Sequence, residues 1–247
     1  MDWSIPMEGN PCHNRHGIMQ EQKRAAIRSL APLIKNKRVL DLACHDGTSS
    51  MILYDSGAAS VVGVDIRDDL IKFANQSRQG KNIFYFCNDI ENLDLLSALV
   101  KESDIVVCLG AFYHLRNNFD WLDTVCAENV ERVILETMFG VESPQAHIFP
   151  LFENTSLRAN GYHPKYKKVP VNQVNFSWIY QAMMQFDWRL EYLEKGYHSR
   201  DFAHIIDFET NKRMFLKMYN PRKISKTDYL EFDQIWQWDD NNLIHQC

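Results

Sequence analysis

The sequence predicts an α/β fold built on a mainly parallel sheet, and two observations carry that expectation. Apolar runs of strand length alternate with stretches of helix length through the first half of the chain. These runs also end on a carboxylate or in a glycine-bearing turn. Val39-Leu40-Asp41-Leu42 runs toward Gly47, Val61-Val62-Gly63-Val64 ends on Asp65, and Ile83-Phe84-Tyr85-Phe86-Cys87 leads to Asp89. A strand, a glycine-bearing turn, a helix and a second strand closed by a carboxylate form half of a nucleotide-binding sheet. Asp65 follows Gly47 at close to the roughly 20-residue offset at which such a carboxylate meets ribose hydroxyls.

The elements follow in order. The first residues hold Pro6, Gly9 and Pro11 and read as irregular chain. Ile18 to Leu33 reads as an amphipathic helix, with Met19, Ala26, Ile27, Leu30 and Leu33 at helical spacing, placed to cap the first strand. Helices are expected over Asp68 to Ser77, Leu93 to Lys101 and Phe119 to Glu128. Between the last two, Ile105-Val106-Val107-Cys108-Leu109 is continuously apolar, as parallel strands covered on both faces are. Arg132 to Thr137 is the fifth strand. From Phe139 to Val174 the alternation stops, with Gly140, Pro144, Pro150, Gly161, Pro164 and Pro170 as turn punctuation. So long a stretch reads as a lid or binding loop. Asn175 to Phe186 reads as a helix, and Trp188 to Leu193 pairs with Arg213 to Met218 as the final strands. The resulting division is a cap segment over 1–37, a domain over 38–220 with a lid-like insertion at 141–175, and an aromatic, polar tail over 221–247.

The turn after the first strand separates two kinds of nucleotide. Dinucleotide enzymes use G-x-G-x-x-G, whose glycines admit a pyrophosphate. Here one glycine, Gly47, is present, and Asp41 would repel a phosphate while attracting a cationic ligand. At Asp41-Leu42-Ala43-Cys44-His45-Asp46-Gly47 the sequence resembles the Rossmann-like S-adenosylmethionine (SAM)-dependent methyltransferases, whose first motif is an acid followed by a G-x-G-x-G-like loop. Ala43 and His45 stand at the first two glycine positions and Gly47 at the third. The resemblance implies a three-layer α/β/α sandwich with a seven-stranded sheet whose last strand is antiparallel. It implies SAM as cofactor, held by Asp41, Ala43, His45, Gly47, Asp65, Ile66, Asp89, Ile90, Leu109 and Gly110. In the family Asp89 meets the adenine amino group, and the fourth strand faces the transferring methyl group.

Past that strand, Gly110-Ala111-Phe112-Tyr113-His114-Leu115-Arg116 resembles the G-x-x-Y-H of the tRNA wobble-uridine methyltransferase and carboxymethyltransferase family, and Leu135-Glu136-Thr137 resembles that family's next strand. The likeness covers roughly residues 38 to 140. It implies that Tyr113 contacts the transferred group. An arginine that in that family pairs with the extra carboxylate of carboxy-SAM falls near Asn172, and a neutral amide there favours plain methyl transfer. Methyl transfer needs in-line positioning and exclusion of water. A base is needed only for a protonated acceptor, and His114 is the nearest imidazole. Tyr113 and His114 are the expected catalytic residues.

Composition sets the bounds. The chain has 247 residues, 45% of them hydrophobic and 24% charged, an ordinary composition for a globular protein. No apolar run nears the roughly 20 residues that span a bilayer, and no secretory signal is visible. Cys12, Cys44, Cys87, Cys108, Cys126 and Cys247 are scattered, as free thiols are in a reducing compartment, so a cytoplasmic location is expected. Cys12, His13 and His16 lack a nearby fourth ligand, so no metal site is expected. A net charge of −5 argues against a broad nucleic-acid face, although Arg158, Lys165, Lys167 and Lys168 interleave with Tyr162, His163 and Tyr166. The expected activity is methylation of an oxygen or nitrogen on a small molecule. The alternatives are tRNA as the acceptor, or SAM binding without turnover.

Overall fold

The computed structural model describes residues 24–78, 80–139, 145–154, 168–192, 213–224, 236–238 and 243–245. Seven strands form one sheet: β1 (Arg38–Leu42), β2 (Ser60–Asp65), β3 (Ile83–Cys87), β4 (Ile105–Leu109), β5 (Arg132–Met138), β8 (Arg189–Tyr192) and β9 (Arg213–Tyr219). Their order is β3-β2-β1-β4-β5-β9-β8. β1 to β5 run parallel, and β9 lies antiparallel between β5 and β8. The expected α/β sheet is therefore the one observed. The order reverses at β1, with β2 on one side and β4 on the other. In an open α/β sheet ligands bind outside the carboxyl ends of the strands at such a switch point.

Helices cover both faces. The helical segment over 24–29 and α1 (Ala31–Ile34), α2 (Thr48–Asp55) and α3 (Asp68–Ser77) lie on one side. There Ile27, Leu30, Met51, Leu53 and Ala74 pack on Val39, Val61, Ile105 and Ile134. On the other face, α4 (Leu93–Lys101), α5 (Asn118–Val125) and α6 (Phe176–Gln185) bury Leu96, Trp121 and Ile179 against Leu40, Val106 and Val133. The sequence starts these three helices with asparagine. The Asn92, Asn117 and Asn175 side chains accept from the backbone N–H three residues on, at 3.3, 3.3 and 3.1 Å. At the amino ends of the strands, Asp104 accepts from the Arg38 backbone and guanidinium at 2.8 Å each, tying β4 to β1.

Two expectations need correction. Of the helix expected over Ile18 to Leu33, residues 18–23 lie outside the described residues, and the rest is interrupted at Leu30, where a turn separates residues 24–29 from α1. Pro32 lacks the N–H that a continuous helix would use, and it sits in the first turn of α1, where none is needed. The insertion also holds regular structure: β6 (Ile148–Asn154) and β7 (Lys168–Val174) form an antiparallel hairpin. Val171 and Val174 face inward while Ile148 and Phe152 remain exposed. In the tail, β10 (Trp236–Trp238) pairs with β11 (Leu243–His245). Cys12, His13, His16, Arg158, Tyr162, His163, Lys165, Tyr166 and Lys167 lie outside the described residues.

Candidate functional site

The turn after β1 keeps a conformation that glycine would adopt more easily. Ala43 and His45 have φ of 58° and Gly47 has φ of 80°, so alternate residues are left-handed. For a residue with a Cβ this region costs roughly 1–2 kcal/mol. Two such residues in one turn hold strain of the kind stored at functional sites. The turn persists because its neighbours fix it. The backbone N–H of Cys44 donates to Val64 O at 3.0 Å, and that of His45 donates to Asp65 Oδ2 at 2.9 Å. At the third position glycine is required. A Cβ on Gly47 would stand 2.5 Å from the Tyr85 hydroxyl and 2.9 Å from Ala74 Cβ. Tyr85 reaches that far because β2 has Gly63 opposite it, where a Cβ would lie 2.6 Å from the ring. Its hydroxyl then donates to Gly47 O at 3.2 Å.

The predicted cofactor residues converge on the carboxyl edge of the sheet. Asp41, 1% exposed, accepts from the hydroxyls of Ser49 and Ser50 at 2.7 and 2.6 Å. Asp65 ends β2, and its Oδ1 accepts from the Arg67 backbone at 3.0 Å and from Arg67 Nε at 3.2 Å. Asp46 accepts from Thr48 N–H at 3.1 Å at the start of α2. The end of β3 folds back toward β2, with Asn88 N–H donating to Asp65 O at 3.0 Å. Asp89 follows, its Oδ1 accepting from Glu91 N–H at 2.9 Å. Ile66 and Ile90 are half-buried beside these acids, Leu109 is buried at the end of β4, and Gly110 turns the chain with φ of 83°.

The buried thiol of Cys44 reports the electrostatics of this edge. Burial pushes it well above the ordinary thiol range, and the charges of Asp41, Asp65 and Asp46 push it further. Three carboxylates, Asp41, Asp46 and Asp65, thus surround the turn, with Arg67 paired to the last of them. A pyrophosphate would be repelled there, whereas an amino group and a sulfonium would be attracted. The donor set thus fits a sulfonium nucleoside and opposes a dinucleotide.

Tyr113 and His114 lie in a 3-10 turn, Phe112–His114, just past β4. Tyr113 is 5% exposed and its ring stands 4.0 Å from that of His114, centroid to centroid. Asn118 fixes the turn by donating to Phe112 O at 2.8 Å. The hairpin is laced to the next residues, since Asn172 donates from its backbone to Leu115 O at 2.8 Å and from its amide to Arg116 O at 2.6 Å. Asn172 is therefore occupied in holding the hairpin. Arg116 in turn bonds Glu91 Oε2 at 2.7 Å and lies 3.4 Å from Asp89 Oδ2, joining the end of β4 to the end of β3.

Sequence reasoning missed Arg67, Tyr85, Arg116 and Glu136 at this edge. Glu136 carried a signal, as an acid inside an apolar strand. Tyr85 and Arg116 carried none, because their partners are set by sheet order, whereas Arg67 bonds Asp65 only two residues before it.

Residues 39–132 match the family described as a methyltransferase domain. An uncharacterized protein of Haemophilus influenzae is 27% identical over 106 residues, 42% of this chain and 42% of its own length. The amino-terminal domain of EvdMO1 with S-adenosylhomocysteine (SAH) bound superposes with a TM-score of 0.62 at 17% identity, covering 83% of each chain. A SAM-dependent methyltransferase from Mesorhizobium loti gives 0.56 at 14% identity, over 82% of this chain and all of that one (100%). The magnesium protoporphyrin IX methyltransferase of Synechocystis with bound SAM gives 0.51 at 16%, over 82% and 81%. Over residues 39–132 the chain is thus similar to methyltransferase domains, and it shares the fold of these solved structures. Among the described residues no helix is long and apolar enough to cross a membrane.

Proposed function

We propose that this protein transfers the methyl group of SAM to an oxygen or nitrogen of a small molecule. The observation that carries the reading is the strained turn at 43, 45 and 47, fixed beneath a buried carboxylate and bonded to a second one on β2. In this reading Asp41 and the 43–47 turn hold the methionine end, Asp65 receives the ribose hydroxyls and Asp89 receives the adenine amino group. Arg67 orients Asp65 through its backbone N–H and Nε. Ile66 and Ile90 wall the nucleoside, while Leu109 and Gly110 face the methyl group. The bound cofactor supplies the activated methyl group. The chain supplies alignment and dryness, which together carry most of such a reaction.

The acceptor side is bordered by Tyr113 and His114, which orient the incoming group. Tyr113 is buried and His114 half-buried, and β7 is bonded across the residues that follow them. A buried tyrosine beside a half-buried histidine suits a compact acceptor or a single protruding group. The structure of the EvdMO1 domain in the presence of SAH and D-fucose lends support, because that relative in fold (15% identity, TM-score 0.61) was crystallised with a sugar. The net charge of −5 also favours a small acceptor over tRNA. The test incubates the protein with methyl-labelled SAM and a cell extract split into RNA and small-molecule fractions. Label in the small-molecule fraction is the expected result. Label in RNA that nuclease releases would replace the acceptor with tRNA. SAM bound without label in either fraction would leave a binding protein.

A further inference from the structure

Among the described residues the sheet ends at β3 on one side and at β8 on the other, and the two edges differ. β8 carries Arg189 and Glu191, the kind of charge that discourages a further strand. β3 reads Ile-Phe-Tyr-Phe-Cys over 83–87, with no charge and no proline, and Phe84 and Phe86 are 48% and 45% exposed. The hydrogen bonds to β2 decide which backbone groups face outward. Asn82 O accepts from Val61 N–H at 3.1 Å, and Asn88 N–H donates to Asp65 O at 3.0 Å, so the even-numbered residues turn their backbone to β2. The odd-numbered residues turn theirs away. Ile83 meets its needs within the chain: its N–H donates to Lys81 O at 2.8 Å, and its O accepts from Arg78 Nη1 at 2.9 Å. The Arg78 guanidinium also lies 5.9 Å from the centre of the Phe84 ring. The first half of this edge is therefore capped. In the second half, Tyr85 and Cys87 turn their N–H and C=O groups outward past the end of the sheet, with the exposed Phe86 between them.

We propose that this edge is the interface of a homodimer, in which β3 of two copies pairs antiparallel about a two-fold axis at Phe86. A strand edge with open N–H and C=O groups recruits a further strand, and here the pattern of those groups fits a second copy of the same strand. With the axis at Phe86, Tyr85 of each copy lies opposite Cys87 of the other. Each of these pairs exchanges both N–H···O bonds, so every outward group of the uncapped half is used. An axis at Phe84 or Tyr85 would instead call on the Ile83 groups that Lys81 and Arg78 already occupy. Phe86 meets its own copy in a narrow, non-hydrogen-bonded pair with Cα atoms about 4.5 Å apart, and ring covers ring. Charge agrees with this arrangement. Arg78 and Lys81 precede the strand, and Asp89 and Glu91 follow it. An antiparallel join sets the basic end of each copy against the acidic end of the other, whereas a parallel join would set like charges together. The contact is the same patch on both copies, so it closes as a dimer. It is also short, so association depends on concentration. The inference stands independently of the cofactor reading.

The axis makes the test specific to one residue. Phe86→Cys in a Cys87→Ser background puts two thiols on a pair whose Cα spacing of about 4.5 Å lies within disulfide reach. Phe84→Cys in the same background faces Asn88 of the second copy and serves as the control. Under mild oxidation, Phe86→Cys is expected to give about tenfold or more covalent dimer on non-reducing gels than Phe84→Cys or the Cys87→Ser parent. No excess from Phe86→Cys would overturn the pairing. Light scattering of the wild type is expected to show twice the mass of one chain at about 100 μM, falling toward one chain on dilution. The mass of a single chain at that concentration would also overturn it. Phe86→Lys sets two like charges on the axis and should raise the dimer Kd about tenfold or more. Its melting temperature as a dilute monomer should stay near that of the wild type, because the side chain is 45% exposed. Phe86→Ser, which removes the ring without adding charge, serves if the lysine variant does not fold. A dimer that survives both substitutions with unchanged Kd would be built on another surface and refute this one.

Discussion

Gly47→Ala tests whether the turn after β1 is held by conformation, by close packing or by both. Alanine at φ of 80° costs roughly 1–2 kcal/mol. Its Cβ would also stand 2.5 Å from Tyr85 Oη, 2.8 Å from Tyr85 Cζ and 2.9 Å from Ala74 Cβ. Overpacking of that kind adds about 1–3 kcal/mol. The stiffer unfolded chain returns roughly 0.5–1 kcal/mol. The net expectation is about 2–4 kcal/mol of lost stability, read by urea denaturation. Tyr85→Phe alone removes the hydrogen bond to Gly47 O and costs about 1 kcal/mol. In the double variant the 2.5 Å approach is gone while those to Cζ and Ala74 remain. The two changes should therefore be less than additive by roughly 1 kcal/mol. At the other two left-handed positions the sign reverses, because Ala43→Gly and His45→Gly relieve strain and are expected to be neutral or stabilising by up to about 1 kcal/mol. If Gly47→Ala cost less than about 0.5 kcal/mol, or the two glycine substitutions destabilised like core mutations, the reasoning about this turn would be refuted.

Three further predictions concern the remaining edge of the sheet. Asp65→Ala should weaken SAH binding about 100-fold or more, since charge-assisted bonds to the ribose are lost and the His45 N–H loses its acceptor; unchanged calorimetric affinity would remove Asp65 from the cofactor site. Tyr113→Phe and His114→Ala should lower turnover by roughly 10-fold or more while SAH affinity stays within about threefold, and wild-type turnover in both would return the pair to a packing role. Burial would raise the Asp104 carboxyl, but the hydrogen bonds and charge of Arg38 outweigh it and hold the group below its ordinary value. With the folded value depressed, the pair contributes at pH above roughly 4 and its contribution is lost as pH falls through the folded value. The pair is part-exposed, so the effect is about 1 kcal/mol or less. Asp104→Asn should lower stability near pH 7 and flatten the loss as pH falls below about 4, and denaturation curves that shift equally at all pH values would contradict this.

Much of the fold was legible because each element announces itself locally. Continuous apolar runs such as Ile105–Leu109 have the length and composition of strands covered on both faces, and the stretches between them, such as Asp68–Ser77 and Leu93–Lys101, have helix length. The hairpin of β6 and β7 was not legible, because Pro150 and Pro170 read as breakers and strand pairing is a long-range choice. The break at Leu30 was also hidden, since the apolar spacing continues through it and Leu30 keeps a right-handed helical backbone while its N–H bonds Ile27 O, three residues back.

By itself the sequence determined the alternation of strands and helices, the carboxylates at the strand ends and the single essential glycine of the turn. These are properties of a residue and its near neighbours in the chain. Only the tertiary structure decided that Tyr85 closes over Gly47 across Gly63, that Arg116 is committed to Glu91 and Asp89, and that Asn172 laces the hairpin to the turn bearing Tyr113. It alone set Glu136 beside the end of β4. Each of these contacts joins residues far apart in sequence, and it is the order of strands in the sheet, with β1 between β2 and β4 and β5 next to β4, that brings them within bonding distance.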